Sequence, residues 1–250
     1  MERSGMLNTK IFVVNPFGEN AMVLWSTDDV ASGGAGSHVG GENPGAIVDP
    51  GCMGENEIME VKEFIRKEGI SPKMILLTHG HFDHIYGVPA LAETYGVPVY
   101  MNPADEVMVQ NNHQISRLYH LPDAPVGFKT VPALDGDEIT LGDVTFKVIA
   151  TPGHTPGGVC YYCESEKLLL SGDTLFAGAI GRTDHPWGDY DKLIVSIMEK
   201  LMALPGDVDV IPGHGPATSI ATERTQNPFL QPFNEPDEDM PEDGIPISFE

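Results

Sequence analysis

The stretch that decides the fold is Thr78-His79-Gly80-His81-Phe82-Asp83-His84, which places four potential metal ligands directly behind an apolar run at residues 74–77. Borderline divalent metals such as zinc bind nitrogen and oxygen donors that are held rigidly. The first two histidines lie two apart on an extended segment, so both rings can point to one side. The aspartate and the last histidine fall at the turn into a helix and can reach a second ion. The stretch therefore predicts a hydrolytic site that can hold two metal ions.

Three further candidate ligands occupy the same kind of position along the chain. His154 follows an alternating strand pattern at residues 144–149, and Asp173 and His214 each follow a short apolar run that is typical of a buried strand. Each of them lies where its strand enters a glycine-rich turn. Because a rigid scaffold usually presents functional side chains on loops at strand ends, these residues are predicted to join the histidine-rich stretch in one site.

The motifs of the chain, taken in order, resemble those of one family. They are Ala46-Ile47-Val48-Asp49-Pro50-Gly51, the His-x-His-x-Asp-His run, Thr-Pro-Gly-His-Thr-Pro-Gly at residues 151–157, Ser-Gly-Asp-Thr-Leu-Phe at residues 171–176, and Pro-Gly-His-Gly-Pro at residues 212–216. From about Ile11 to Leu230 the chain resembles the metallo-β-lactamase-fold hydrolases, and within them the short, single-domain glyoxalase II-like (hydroxyacylglutathione hydrolase-like) proteins. The resemblance implies an α/β (α+β) fold, a four-layer αβ/βα sandwich with its site along one edge.

The resemblance also implies how the ligands divide between two metal sites. One ion would be held by His79, His81 and His154, the other by Asp83, His84 and His214, with Asp173 bridging the two. The expected cofactor is two divalent ions, zinc first and iron or manganese as alternatives. The implied reaction is hydrolysis of a thioester of the hydroxyacylglutathione type by a metal-bridging hydroxide, whose pKa the cations pull toward neutrality. Asp83 and Asp173 would be the catalytic carboxylates, and Ser171 is interpreted as a turn residue.

Other functions remain open on the same fold. Gly181-Arg182-Thr183-Asp184 resembles a motif shared with persulfide dioxygenases, which use one iron on two histidines and an aspartate, here His79, His154 and Asp173. Arg182 is interpreted first as ordering its loop by a hydrogen bond and second as a substrate contact. A lactone or ester hydrolase would use the same hydroxide, and a non-catalytic metal-binding protein is the remaining class. Position 81 has no carboxylate and position 173 no cysteine, unlike the di-iron oxygen-reducing branch and many β-lactamases.

Residues 105–128 predict an insertion near the mouth of the metal cleft. It contains a polar helix candidate at residues 105–118, followed by Tyr119 and His120. These two residues, with Arg182, are the candidate substrate contacts. A solvated helix surface is the more common outcome for such residues.

The composition narrows the class of partner. The 250 residues include 37 acidic and 14 basic side chains, and the formal net charge is −23. Nucleic acids and anionic membranes would be repelled, so a small-molecule thioester or ester is the expected partner, with the oligomeric state left open. The absence of a long apolar run and of a signal-peptide pattern favours a cytoplasmic location. Of three cysteines, Cys160 and Cys163 are expected on opposite faces of a hairpin strand and not as a redox or zinc pair.

The chain is predicted to contain one catalytic domain, residues 1–230, and an acidic, proline-rich tail, residues 231–250, that cannot form a core. Strands are predicted near residues 10–15, 21–25, 45–49, 74–78, 97–101, 144–150, 158–163, 167–171 and 208–211. Outer helices are predicted near residues 57–65 and 191–204. No segment corresponds to the basic helical domain that helps long-type glyoxalase II hold glutathione, so recognition of glutathione stays open.

Overall fold

Two six-stranded sheets form the centre of the computed structural model, which describes residues 6–27 and 43–231. The first sheet has the order β1-β2-β3-β4-β5-β6. Its strands are β1 (Met6–Val14), β2 (Glu19–Thr27), β3 (Asn43–Val48), β4 (Ile70–Leu76), β5 (Val99–Met101) and β6 (Val131–Pro132). The first three pair antiparallel and the rest parallel. Apart from residue 231, the predicted tail lies outside the described residues.

The second sheet has the order β14-β13-β10-β9-β8-β7, and a separate hairpin pairs β11 with β12. The strands are β7 (Glu138–Leu141), β8 (Val144–Ala150), β9 (Val159–Cys163), β10 (Leu168–Gly172), β11 (Leu175–Phe176), β12 (Ala179–Ile180), β13 (Asp209–Pro212) and β14 (Thr218–Ser219). Only β10 and β13 pair parallel, which brings the carboxyl ends of these two strands to the same edge.

Helices cover the outer faces of both sheets. They are α1 (Glu55–Lys67), α2 (Phe82–Ile85), α3 (Val88–Tyr95), α4 (Glu106–Leu118), α5 (Tyr190–Ser196) and α6 (Ile220–Gln226), with a 3₁₀ turn at Pro103–Asp105 and a π-helical turn at Ile197–Leu201. Among the described residues, no helix is long and apolar enough to cross a membrane.

Three apolar clusters fill the spaces between the layers. Strand β2 contributes to two of them. Ala21 and Val23 point into the cluster that includes Val61 of α1, whereas Met22 and Leu24 point into the cluster between the two sheets. Successive side chains of a strand face opposite sides, so one strand supplies two cores. A third cluster packs the second sheet against α5 and α6. The order helix, sheet, sheet, helix confirms the predicted four-layer sandwich.

The predicted strands are all present, with ends displaced by a few residues. Cys160 lies in the outer cluster and Cys163 in the cluster between the sheets, which confirms that they face opposite ways. All three cysteines are free and buried. The helix predicted at residues 191–204 begins one residue earlier, at Tyr190, and its α-helical part ends at Ser196, where the π-helical turn follows.

Candidate metal centre

Five chain segments bring the candidate ligands to one edge of the sandwich. His79 and His81 follow β4, and α2 begins directly after them and carries Asp83 and His84. His154 follows β8. The other two candidates, Asp173 and His214, follow the parallel strands β10 and β13. The carboxyl ends of these strands therefore gather the ligands, as expected from their positions at strand ends.

The first cluster consists of three imidazoles whose nitrogens converge. Nδ1 of His81 lies 3.0 Å from Nε2 of His79 and 2.9 Å from Nε2 of His154. Ligand nitrogens about 2.0–2.1 Å from a tetrahedral zinc ion lie roughly 3.3 Å apart, so the observed spacing is close to that of a metal site. These three residues can hold one divalent ion.

The second cluster combines two histidines with a carboxylate. Nε2 of His84 lies 3.3 Å from Nε2 of His214, which in turn lies 3.4 Å from Oδ2 of Asp83. These donor atoms all lie within 4.8 Å of one another. The set of two nitrogens and one oxygen suits zinc, iron or manganese.

Asp173 lies between the two clusters. Its Oδ2 is 3.4 Å from Nε2 of His154, and its Oδ1 is 3.5 Å from Nε2 of His84. Oδ1 is buried and has no hydrogen-bond partner. A buried carboxylate oxygen without a donor is costly unless a cation neutralises it. The position and the missing partner both fit a carboxylate that contacts two ions.

Charge states within the clusters follow from burial and from neighbouring groups. Burial lowers the pKa of His79 and His81, and adjacent imidazoles lower it further, so their nitrogens are free to bind a cation. Burial alone would lower the pKa of His84, but Asp173 and Asp83 outweigh it and raise the pKa to about 9. Conversely, burial would raise the pKa of Asp83, yet His84 and the hydrogen bond from His214 hold it well below its usual range.

Each candidate histidine that uses Nε2 has its Nδ1 directed at a second group, which fixes its ring orientation. Nδ1 of His154 donates to the Arg182 carbonyl at 2.8 Å, and Nδ1 of His214 lies 3.2 Å from the Phe17 carbonyl. Nδ1 of His84 lies 3.2 Å from Oδ2 of Asp49, an ion-pair contact that does not have the alignment of a hydrogen bond.

Asp49 forms a third grouping with His79 and His84, but its oxygens are already engaged. Oδ1 accepts from the Thr78 amide at 2.7 Å, and Oδ2 accepts from the Thr78 hydroxyl at 2.6 Å. With both oxygens bonded to Thr78, this carboxylate is better placed to orient the candidate ligands than to hold a separate cation. Asp49 belongs to one of the family-like sequence motifs, but no role was predicted for it from the sequence.

Asp105 connects two ligand loops and was also not identified from the sequence. Oδ2 accepts from the Gly80 amide and from the Thr155 hydroxyl, both at 2.9 Å, and Oδ1 accepts from the Gly157 amide at 2.6 Å. Gly80 lies between the first two histidines, and Thr155 follows His154. Burial raises the pKa of Asp105, although the three hydrogen bonds act in the opposite direction.

Glu19, at the start of β2, is fully buried beside the second cluster, with Oε1 3.8 Å from Nδ1 of His84. Neither carboxyl oxygen has a hydrogen-bond partner. Burial, reinforced by Asp49 and Asp83, raises the pKa of Glu19 well above its usual range. This shift favours the uncharged form of the Glu19 carboxyl next to the candidate ligands.

Gly213, one residue before His214, is required by close packing. A Cβ atom there would lie 2.3 Å from Oδ1 of Asp173 and 2.7 Å from Cε1 of His84. Any side chain would push these two residues apart. The Pro-Gly-His motif therefore has a steric reason at the site itself.

The clusters open into a cleft of ≈ 550 Å³. Of the candidate substrate contacts, Tyr119 and Arg182 line it, whereas His120 is exposed at the end of α4 and does not. Arg182 also forms an ion pair with Asp184, with Nε 2.8 Å from Oδ1, as expected for a loop-ordering arginine. His185 also lines the cleft but was not predicted from the sequence. The one sequence signal for it is its position in the same loop as Arg182.

The comparisons identify the family. The family model described as the Metallo-beta-lactamase superfamily matches residues 38–214, and the chain therefore belongs to this superfamily. The hydroxyacylglutathione hydrolase GloC of Haemophilus influenzae is 34% identical over 227 residues, which cover 90% of this chain and 98% of that protein. The superfamily match and the similarity to GloC confirm the predicted resemblance to glyoxalase II-like proteins.

Two solved structures are similar over most of their length. BLEG-1 B3 metallo-beta-lactamase has 36% identity and a TM-score of 0.76, covering 89% of this chain and 99% of that chain. TTHA1623 in a di-iron-bound form has 33% identity and a TM-score of 0.73, and the match covers 88% of this chain and 100% of that chain. The fold class predicted from the sequence is confirmed, and the chain shares the metallo-hydrolase fold that binds divalent metals.

Proposed function

We propose that the protein is a metal-dependent hydrolase that cleaves a thioester of the hydroxyacylglutathione type. Two divalent metal ions take part, and zinc is the preferred metal. The observation that carries the proposal is the position of Asp173 between the clusters. Its Oδ2 lies 3.4 Å from Nε2 of His154 in the first cluster and 3.7 Å from Nε2 of His214 in the second, and its Oδ1 lies 3.5 Å from Nε2 of His84. The GloC relative, a hydroxyacylglutathione hydrolase, supports the reaction type. The di-iron form of TTHA1623 supports a centre with two metals.

The proposed ligand sets follow the two clusters. His79, His81 and His154 bind the first ion, Asp83, His84 and His214 bind the second, and Asp173 contacts both. The converging nitrogens and the unpartnered Oδ1 of Asp173 support this assignment. A mononuclear site of His79, His154 and Asp173 would leave the second cluster without a role.

When bound, the ions lower the pKa of water toward neutrality and polarise the substrate carbonyl. The chain's own part is to position the reactants. Asp83 lines the cleft, and its Oδ2 lies 3.4 Å from Nε2 of His214, so besides holding the second ion it would orient the attacking water. Attack on the carbonyl carbon would form the new C–O bond, and collapse of the tetrahedral intermediate would then break the C–S bond, giving a carboxylic acid and a thiol with no change in oxidation state.

No serine nucleophile is needed. Ser171 is fully buried, and its Oγ donates a 2.8 Å hydrogen bond to the Leu175 carbonyl. A nucleophile requires an adjacent base and access to substrate, and Ser171 does not line the cleft. Its interpretation as a turn residue agrees with this geometry.

An anaerobic assay tests the proposal. Zinc-loaded protein should release thiol from S-lactoylglutathione without oxygen, and chelation should abolish the release, because water supplies the nucleophile. A β-lactam serves as a comparison substrate, given the similarity to BLEG-1. Absence of thioester cleavage, with oxygen uptake by iron-loaded protein on glutathione persulfide, would replace the proposal by a persulfide dioxygenase. Cleavage of a lactone alone would replace it by a lactonase.

A further inference from the structure

Aromatic side chains dominate one part of the cleft next to Asp83 and His214. The rings of Phe17, Phe82 and Tyr119 contact one another, with centroid separations of 5.3 Å, 5.6 Å and 5.8 Å. Phe17 is 38% exposed and Tyr119 is 50% exposed, whereas Phe82 is only 7% exposed and lies beneath them. Exposed, contiguous apolar surface of this kind marks a binding site.

Further apolar side chains line the same cleft. They are Phe176, Ile180, Pro186 and Trp187. An apolar pocket with a few convergent polar groups is the usual form of a small-molecule site. Here the polar groups are the candidate metal ligands, so a bound substrate would place its reacting carbonyl at the ligands and its remaining atoms against hydrocarbon.

The charge of the cleft is unfavourable for a carboxylated substrate. Arg182 is the only lysine or arginine among the described residues that line it, and its guanidinium is engaged by Asp184. An acyl group that itself carries a carboxylate would therefore find no free lysine or arginine among the described side chains of the cleft. Burying an unpaired charge is costly, whereas burying hydrocarbon is favourable.

We propose that the preferred substrate of this site is a thioester whose acyl group is apolar and uncharged, with that acyl group lying against the aromatic side chains of Phe17, Phe82 and Tyr119. This inference rests on the proposed thioester hydrolysis and deepens it. S-lactoylglutathione is cleaved by the same chemistry, and thioesters with larger apolar acyl groups are cleaved with a higher kcat/KM. A small polar acyl group such as lactoyl would fill little of the cleft. An acyl chain of several methylenes, or one with a phenyl ring, would displace water from it.

The test uses acyl thioesters of one uncharged thiol, N-acetylcysteamine, with acetyl, butyryl, hexanoyl and phenylacetyl groups. Zinc-loaded protein should show kcat/KM rising about three- to fourfold per buried methylene, in proportion to the hydrocarbon removed from water. A value of kcat/KM that stays flat or falls along the series would overturn the inference.

Phe17→Ala locates the acyl group. This substitution should lower the hexanoyl-to-acetyl ratio of kcat/KM by about three- to tenfold, because one wall of the cleft is removed. Phe229→Ala is the matched control, since Phe229 is 48% exposed and does not line the cleft. An unchanged ratio in a Phe17→Ala protein with native circular dichroism would contradict the placement.

Failure of the inference can be told from failure of the proposed function. If metal-loaded protein cleaves S-lactoylglutathione and the acetyl thioester but shows no preference for longer chains, only the substrate class is wrong. If it cleaves none of these thioesters under any metal loading, the hydrolase proposal fails and the inference fails with it.

Discussion

Asp105→Ala tests whether one buried carboxylate holds two ligand loops together. The substitution leaves three donors without an acceptor, namely the amides of Gly80 and Gly157 and the hydroxyl of Thr155. Asp105 is fully buried, so water does not already reach these groups. The hydroxyl can rotate to another acceptor, but the two amides are fixed by the backbone.

The cost can be worked from the two fixed donors. Each buried donor that loses its partner costs about 1–3 kcal/mol, and the hydroxyl and the vacated volume add to this, so Asp105→Ala should destabilise the fold by about 3–5 kcal/mol. Asp105→Asn keeps one acceptor oxygen but turns its amide toward a donor, and about 1.5–3 kcal/mol is expected. Both variants should weaken metal binding by about 10- to 100-fold, since ligand orientation depends on such outer contacts.

Urea unfolding of chelated protein, followed by circular dichroism, measures the free energy without the contribution of bound metal. Zinc titration with a competing chelator measures the affinity. Asp123→Ala is the control, because Asp123 is an exposed aspartate paired with Arg117, and it should leave both quantities nearly unchanged. A loss below about 1 kcal/mol in Asp105→Ala, with unaltered zinc affinity, would refute the reasoning.

Three other predictions concern the site. Asp173→Asn should lower turnover at least about 100-fold and reduce the bound metal, because the residue faces both clusters; full activity with full metal content would show that its role is misassigned. Ser171→Ala should keep kcat within about tenfold of the parent, whereas a true nucleophile would lose several orders of magnitude. Arg182→Ala should leave the melting temperature almost unchanged, because its ion pair is exposed, and a large drop in a thermal scan would speak against this.

The convergence of the candidate ligands at one edge could be predicted from the sequence because each of them lies close behind a recognisable strand. The alternating pattern at residues 144–149 and the apolar runs before Asp173 and His214 mark strand ends, and their motifs in order indicate the family. The sequence did not predict strands such as β6 and β14, because each has only two residues and so short a segment shows no alternating pattern. Their pairing is set by neighbouring strands and not by their own sequence.

The groups that support the ligands could not be predicted. Asp105 lies 52 residues from Gly157, and its role depends on three loops meeting in space. Glu19 and Asp49 likewise read as ordinary carboxylates until burial beside His84 is known. Phe17 and Tyr119 are distant in the chain but their rings are in contact, so the aromatic lining of the cleft could be seen only in the folded structure.

The most direct test of the central claim is a titration of metal-free protein with zinc while thiol release from a thioester is followed without oxygen. Two histidine clusters joined by Asp173 predict that activity rises until two equivalents are bound and then stays constant. Full activity at a single equivalent of metal, or cleavage that appears only with iron and oxygen, would contradict a two-metal hydrolase.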